Sequence, residues 1–119
     1  AERAARETDR VRLLVALAGS GVLPDDLAPA ARGEAAPPDA LTQELSVAFA
    51  RFLARTPCRL VALQLEDLTN AIDRANLPGT TEDHPNWQRK LPLTLEELAR
   101  APDFRAVTQA VAAERPREP

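Results

Sequence analysis

Only one stretch of this chain reads as a buried β-strand, and that solitude limits what it can fold into. Arg59-Leu60-Val61-Ala62-Leu63-Gln64 is apolar without a break over a few residues. That is the pattern of a strand covered on both faces, as in a parallel sheet. No second run of the kind occurs in the 119 residues. A lone strand leaves its backbone N–H and C=O groups without ladder partners. The run is therefore helical or loop-like in this chain, or its sheet partners lie in another portion of the protein.

The rest of the chain reads as helix and loop. Ala4, Val11, Leu14, Val15 and Ala18 share one face of a helix over residues 2–18. Gly19-Ser20-Gly21 ends it, because Gly readily takes the left-handed conformation that closes a helix. Pro24 and Asp25 suit the start of a short turn that Pro29 limits, and residues 31–38 read as a surface loop. A second helix over 39–55 takes Asp39 as its N-cap. Leu41, Leu45, Ala48, Phe49, Phe52 and Leu53 form its apolar stripe, and Thr56-Pro57 breaks it. Thr94 and Glu97 have capping-box spacing, with Leu93 and Leu98 as a hydrophobic staple. Pro102 suits the first position of a helix over 102–114 that aligns Phe104, Val107 and Val111, and the tail from Arg115 should fray.

Composition narrows the function classes. The chain is 45% hydrophobic, 28% charged and only 3% aromatic, so its core is built from Leu, Val and Ala. Net charge is −3 with acids and bases intermixed, which argues against a nucleic-acid partner. No apolar run approaches membrane-spanning length, so no membrane partner is expected. Cys58 is alone, which fits a reducing compartment, and no Cys or His lies at metal-ligand spacing. No metal or cofactor is expected. The absence of an initiator Met suggests a processed or excised piece rather than a whole gene product.

The chemistry-bearing residues gather after the strand-like run. Glu66 and Asp67 are adjacent, so in an extended segment they point to opposite faces. They make a poor facing pair of carboxylates and read as caps of the turn after the strand. Pro78-Gly79 suits the two central positions of a type II turn, with Gly supplying positive φ. Asn76, just before that turn, either bonds its own backbone or offers an amide that donates and accepts, as sugar hydroxyls require. His84 reads as a surface-loop residue. Asn86 precedes Trp87, the only Trp. Its indole either fastens the loop to the domain or offers a flat face to a sugar ring.

Asn76-Leu77-Pro78-Gly79-Thr80 followed by His84-Pro85-Asn86-Trp87-Gln88-Arg89-Lys90-Leu91 and Leu95-Glu96-Glu97-Leu98 resembles the C-terminal part of the 4-α-glucanotransferases (amylomaltases or disproportionating enzymes, glycoside hydrolase family 77). The helix with Glu2-Arg3-Ala4-Ala5-Arg6 and the run ending Ala62-Leu63-Gln64-Leu65-Glu66-Asp67-Leu68 extend the likeness over most of residues 1–100, strongest over 60–98. Gln88 departs from the pattern, where Arg is expected.

The resemblance implies a (β/α)8 barrel of which residues 1–119 are the C-terminal segment: mainly α, with residues 58–65 as the last strand and the rest of the barrel absent. It implies cytoplasmic retaining transfer of α-1,4-glucan segments to the 4-hydroxyl of an acceptor, with catalytic Asp and Glu upstream of residue 1 and none in this chain. The isolated segment should then be inactive. Asn76, Pro78, Gly79, Asn86 and Trp87 would be substrate-binding at the barrel mouth, which Glu66 and Asp67 help to shape. The partners would be maltooligosaccharides and the remainder of the barrel. The competing expectation is a stand-alone helical module that binds a protein partner.

Overall fold

Helix α3 (Gln43–Ala54) contributes side chains to both buried cores of the molecule. The computed structural model describes residues 2–69, 71–73 and 75–116. Around α3 stand α1 (Glu2–Gly19) and α6 (Pro102–Glu114), with single-turn helices α2 (Ala28–Ala31), α4 (Leu65–Leu68) and α5 (Leu95–Leu98) and a 3-10 turn at Asp25–Leu27. Two small cores result. Leu14 and Leu17 of α1, Val22, Ala30, and Leu45 and Ala48 of α3 form the first. Ala50 of α3, Leu68 of α4 and Val107 of α6 form the second, flanked by Val47, Leu63, Phe104 and Val111. Small side chains on α3 let both neighbouring helices approach closely.

The local signals decide most helix ends. Gly21 takes φ 68° after α1, where a side chain would be strained. The capping box at α5 forms in full: Thr94 Oγ1 accepts from the Glu97 N–H at 3.3 Å, and the Glu97 carboxylate accepts from the Thr94 N–H at 2.8 Å. Those bonds, the backbone one first, hold the Glu97 carboxyl below its ordinary pKa. Pro102 opens α6 as its spacing predicts.

Several expectations are corrected. The second helix starts at Gln43 with Thr42 as N-cap, its side chain accepting from the Leu45 N–H. Asp39 is instead drawn away by Arg10, at 2.7 Å. Pro29 sits inside the first turn of α2 rather than ending a helix. On α1 the buried pair is Leu14 and Leu17, and Val15 remains 51% exposed.

The strand over 58–65 is not formed: no residue among those described is in a strand, and Leu65 already belongs to α4. No strand among the described residues pairs with the run, and a ladder needs a partner. Leu60 consequently stands 90% exposed. The tail does not fray at its first residue. The Arg115 guanidinium donates to the carbonyls of Ala54 (2.7 Å), Thr56 (2.8 Å) and Cys58 (2.6 Å), closing the C-terminus of α3. Residues 117–119 of the expected frayed tail lie outside the described residues.

The molecule exposes too much surface for its mass. Its accessible area is 9125 Å², where a close-packed monomer of 12.9 kDa exposes about 6,300 Å². Its radius of gyration is 16.4 Å, against about 13.5 Å for a compact domain of this length.

Candidate functional site

The loop over residues 75–88 is built from nested turns. Pro78 and Gly79 occupy the centre of a turn in which the Thr80 N–H donates to the Leu77 carbonyl at 3.2 Å, and Gly79 has φ 83°. That positive φ at the third position is what a type II turn demands of Gly. The Thr80 hydroxyl donates to the same carbonyl at 2.6 Å, so the turn is closed twice.

A second turn spans Pro85–Gln88, where the Gln88 N–H donates to the Pro85 carbonyl at 3.3 Å. Its third position is Trp87, the one non-Gly residue with positive φ among those described, at 59°. A bulky side chain in this region costs about 1–2 kcal/mol. The surrounding bonds hold it there. The Trp87 N–H donates to the Ala75 carbonyl at 2.7 Å, closing the loop at its base, and the Asn86 N–H donates to the His84 carbonyl at 2.8 Å. Outside that closure Arg89 and Asp73 pair at 2.5 Å. A segment with joined ends, packed by its own side chains, is an Ω-type loop.

Asn86 ties the two turns together. Its Oδ1 accepts from the Leu77 N–H at 2.8 Å, and its Nδ2 donates to the Thr80 carbonyl at 3.1 Å and the Thr80 hydroxyl at 3.0 Å. The donor on one side and the carbonyl on the other admit only this amide orientation.

The five residues singled out from the sequence thus share one loop, in unequal states. Asn76 is half-buried, and its side chain makes no hydrogen bond among the described residues. The local backbone bond that an Asn before a turn can make is not formed. Pro78 and Gly79 are exposed at the tip. Trp87 is 77% exposed, so its indole does not fasten the loop to the domain; its backbone N–H and Asn86 instead close the loop on itself.

Glu66 and Asp67 lie on the single turn of α4 rather than on an extended segment, about 100° apart around its axis. They do not form a facing pair. His84 sits half-buried in the loop. Among the described residues no cluster of His, Cys, Asp or Glu has the makings of a metal site, and no helix is long and apolar enough to cross a membrane. Sequence reasoning passed over Thr80, whose hydroxyl serves both the turn and Asn86. Its position directly after Pro-Gly was the available signal.

The loop thus presents a half-buried amide at Asn76 and an exposed indole at Trp87. A family model described as 4-alpha-glucanotransferase matches residues 3–95, and the chain belongs to that family. Proteins named 4-alpha-glucanotransferase from Mycobacterium bovis and from two strains of Mycobacterium tuberculosis are 35% identical to it over 118 positions. The alignment covers 94% of this chain and 14% of each relative, so the chain spans about one-seventh of the length of the relatives it matches. No solved structure matches it.

Proposed function

We propose that this chain is the C-terminal segment of the catalytic barrel of a 4-α-glucanotransferase, and that its 75–88 loop forms part of the glucan-binding mouth. The observation that carries the reading is Asn76. Its amide has no hydrogen-bond partner among the described residues, beside a turn that fixes its direction, in a chain of this family. A half-buried amide that can both donate and accept suits vicinal sugar hydroxyls. Trp87 supplies an exposed apolar face for a pyranose ring, and Pro78 and Gly79 let backbone approach the sugar closely.

In this reading residues 58–65 become the last barrel strand once neighbouring strands pair with them, and the loop follows that strand's carboxyl end, where barrel active sites lie. The reaction is retaining transglycosylation. A carboxylate nucleophile forms a glycosyl-enzyme, a second carboxylate serves as acid and then base, and the acceptor's 4-hydroxyl replaces water. Both carboxylates belong to parts of the protein outside these residues. The excess surface of the isolated segment supports this reading over that of an independent helical module, which would have to close its own core.

The test is Asn76→Ala in the intact enzyme. Losing one neutral hydrogen bond to a sugar costs about 1 kcal/mol, or roughly five-fold in kcat/KM for maltotriose, with Tm unchanged. A fall in Tm with unaltered kcat/KM would remove Asn76 from the binding site.

A further inference from the structure

Asn86 donates its amide NH2 to the Thr80 carbonyl and hydroxyl and accepts from the Leu77 N–H at its carbonyl oxygen. Little capacity remains for a sugar hydroxyl. Its three bonds span the Pro78-Gly79 turn from one side to the other, joining the residue just before the turn's centre to the residue just after it. Asn76 immediately precedes Leu77, and Trp87 immediately follows Asn86. One amide therefore fixes the backbone beside both Asn76 and Trp87.

We infer that Asn86 is a positioning residue, a latch that holds the 76–80 turn in its sugar-receiving form and acts on glucan through Asn76 and Trp87 rather than by touching it. The inference rests on the glucan-binding reading of this loop. A latch made before ligand arrives spares the ligand the entropy of ordering the turn, and so its loss is felt mainly in binding. The backbone strain at Trp87 is held by the same latch, since releasing Asn86 frees one side of the 85–88 turn.

The experiment uses the intact enzyme with Asn86→Ala, Asn76→Ala and the double variant, read by amide hydrogen exchange without sugar and by kinetics on maltotriose. In Asn86→Ala the peptide carrying the Leu77 amide should exchange at least ten-fold faster, while peptides from α3 and α6 keep their rates. KM should rise roughly five- to ten-fold with kcat changed less than two-fold. The double variant should lose little more than Asn86→Ala alone, because one residue acts through the other. Unchanged exchange at Leu77 would overturn the latch. Faster exchange with unchanged KM, or fully additive losses in the double variant, would overturn the positioning role. A wild-type enzyme that does not disproportionate maltotriose would contradict the glucanotransferase reading and the role in binding, while the exchange arm would still decide whether the latch exists.

Discussion

Trp87 keeps a left-handed backbone that a Gly would hold at no cost, and it does so with its ring in solvent. Natural sequences retain strain of this kind where something other than stability is served. Replacing Trp87 by Gly relieves strain that Ala retains, so Trp87→Gly should be more stable than Trp87→Ala by about 1 kcal/mol in urea unfolding of the intact protein. Both variants lose the indole, so both should lose maltotriose affinity alike. Equal stabilities would mean that the φ of Trp87 is not strained. This conformation was not legible in the sequence. His-Pro-Asn-Trp offers Asn as the natural left-handed residue, yet the positive φ falls on Trp87, held by its own N–H bond to Ala75 and by the bonds of Asn86 to Leu77 and Thr80. The Pro78-Gly79 turn was legible, because its chemistry is contained within four residues.

At the scale of elements, α3 and α6 are joined by ions as well as by Val107. Glu114 accepts from Arg51 at 2.8 Å and from Arg55 at 2.9 and 3.0 Å, and Arg55 also donates to the Ser20 carbonyl at the end of α1. The bonds from Arg55, and then those from Arg51, hold the Glu114 carboxyl below its ordinary value. A carboxyl depressed in the folded state stabilises above its unfolded pKa, and that contribution disappears as pH falls through the folded value. Thermal unfolding should therefore separate wild type from Glu114→Gln at pH 7, and the gap should close toward pH 3. A gap independent of pH would exclude this role.

Arg115 gives a second prediction at this scale. Arg115→Ala removes the donor from the Ala54 carbonyl at the end of α3 and from the Thr56 and Cys58 carbonyls just beyond it, and should cost about 1–2 kcal/mol, measured by the same unfolding, whereas Arg115→Lys should recover only part of it. Neither contact was legible. Glu114 reaches Arg51 and Arg55 across some sixty positions of sequence, and a Pro-flanked Arg near a tail carries no local mark of a helix cap. The capping box at Thr94 and the ends of α1 and α6 were legible, since each is decided within one turn of chain. The start of α3 was misread because Asp39 and Thr42 are both good caps; Thr42 caps the helix, while Asp39 pairs with Arg10 of another helix.

For the whole molecule, the apolar run at 59–64 is the feature whose outcome depends most on what surrounds it. Its composition fits a strand buried on both faces, yet here it is irregular, with Leu60 in solvent. Strand formation is a property of pairs, so no reading of one run could settle it. Ile72 (96% exposed) and Leu95 (74%) add to the uncovered apolar surface. The area beyond that of a close-packed monomer, about 2,800 Å², is of the size that permanent partners cover. These features agree with a segment that completes its fold against a larger body. The most direct test is incubation with maltotriose of two samples, the intact protein and residues 1–119 alone, followed by separation of the products. Glucose and longer oligomers are expected from the intact protein and none above background from the segment. Disproportionation by the segment alone, or none by the intact protein, would contradict this reading.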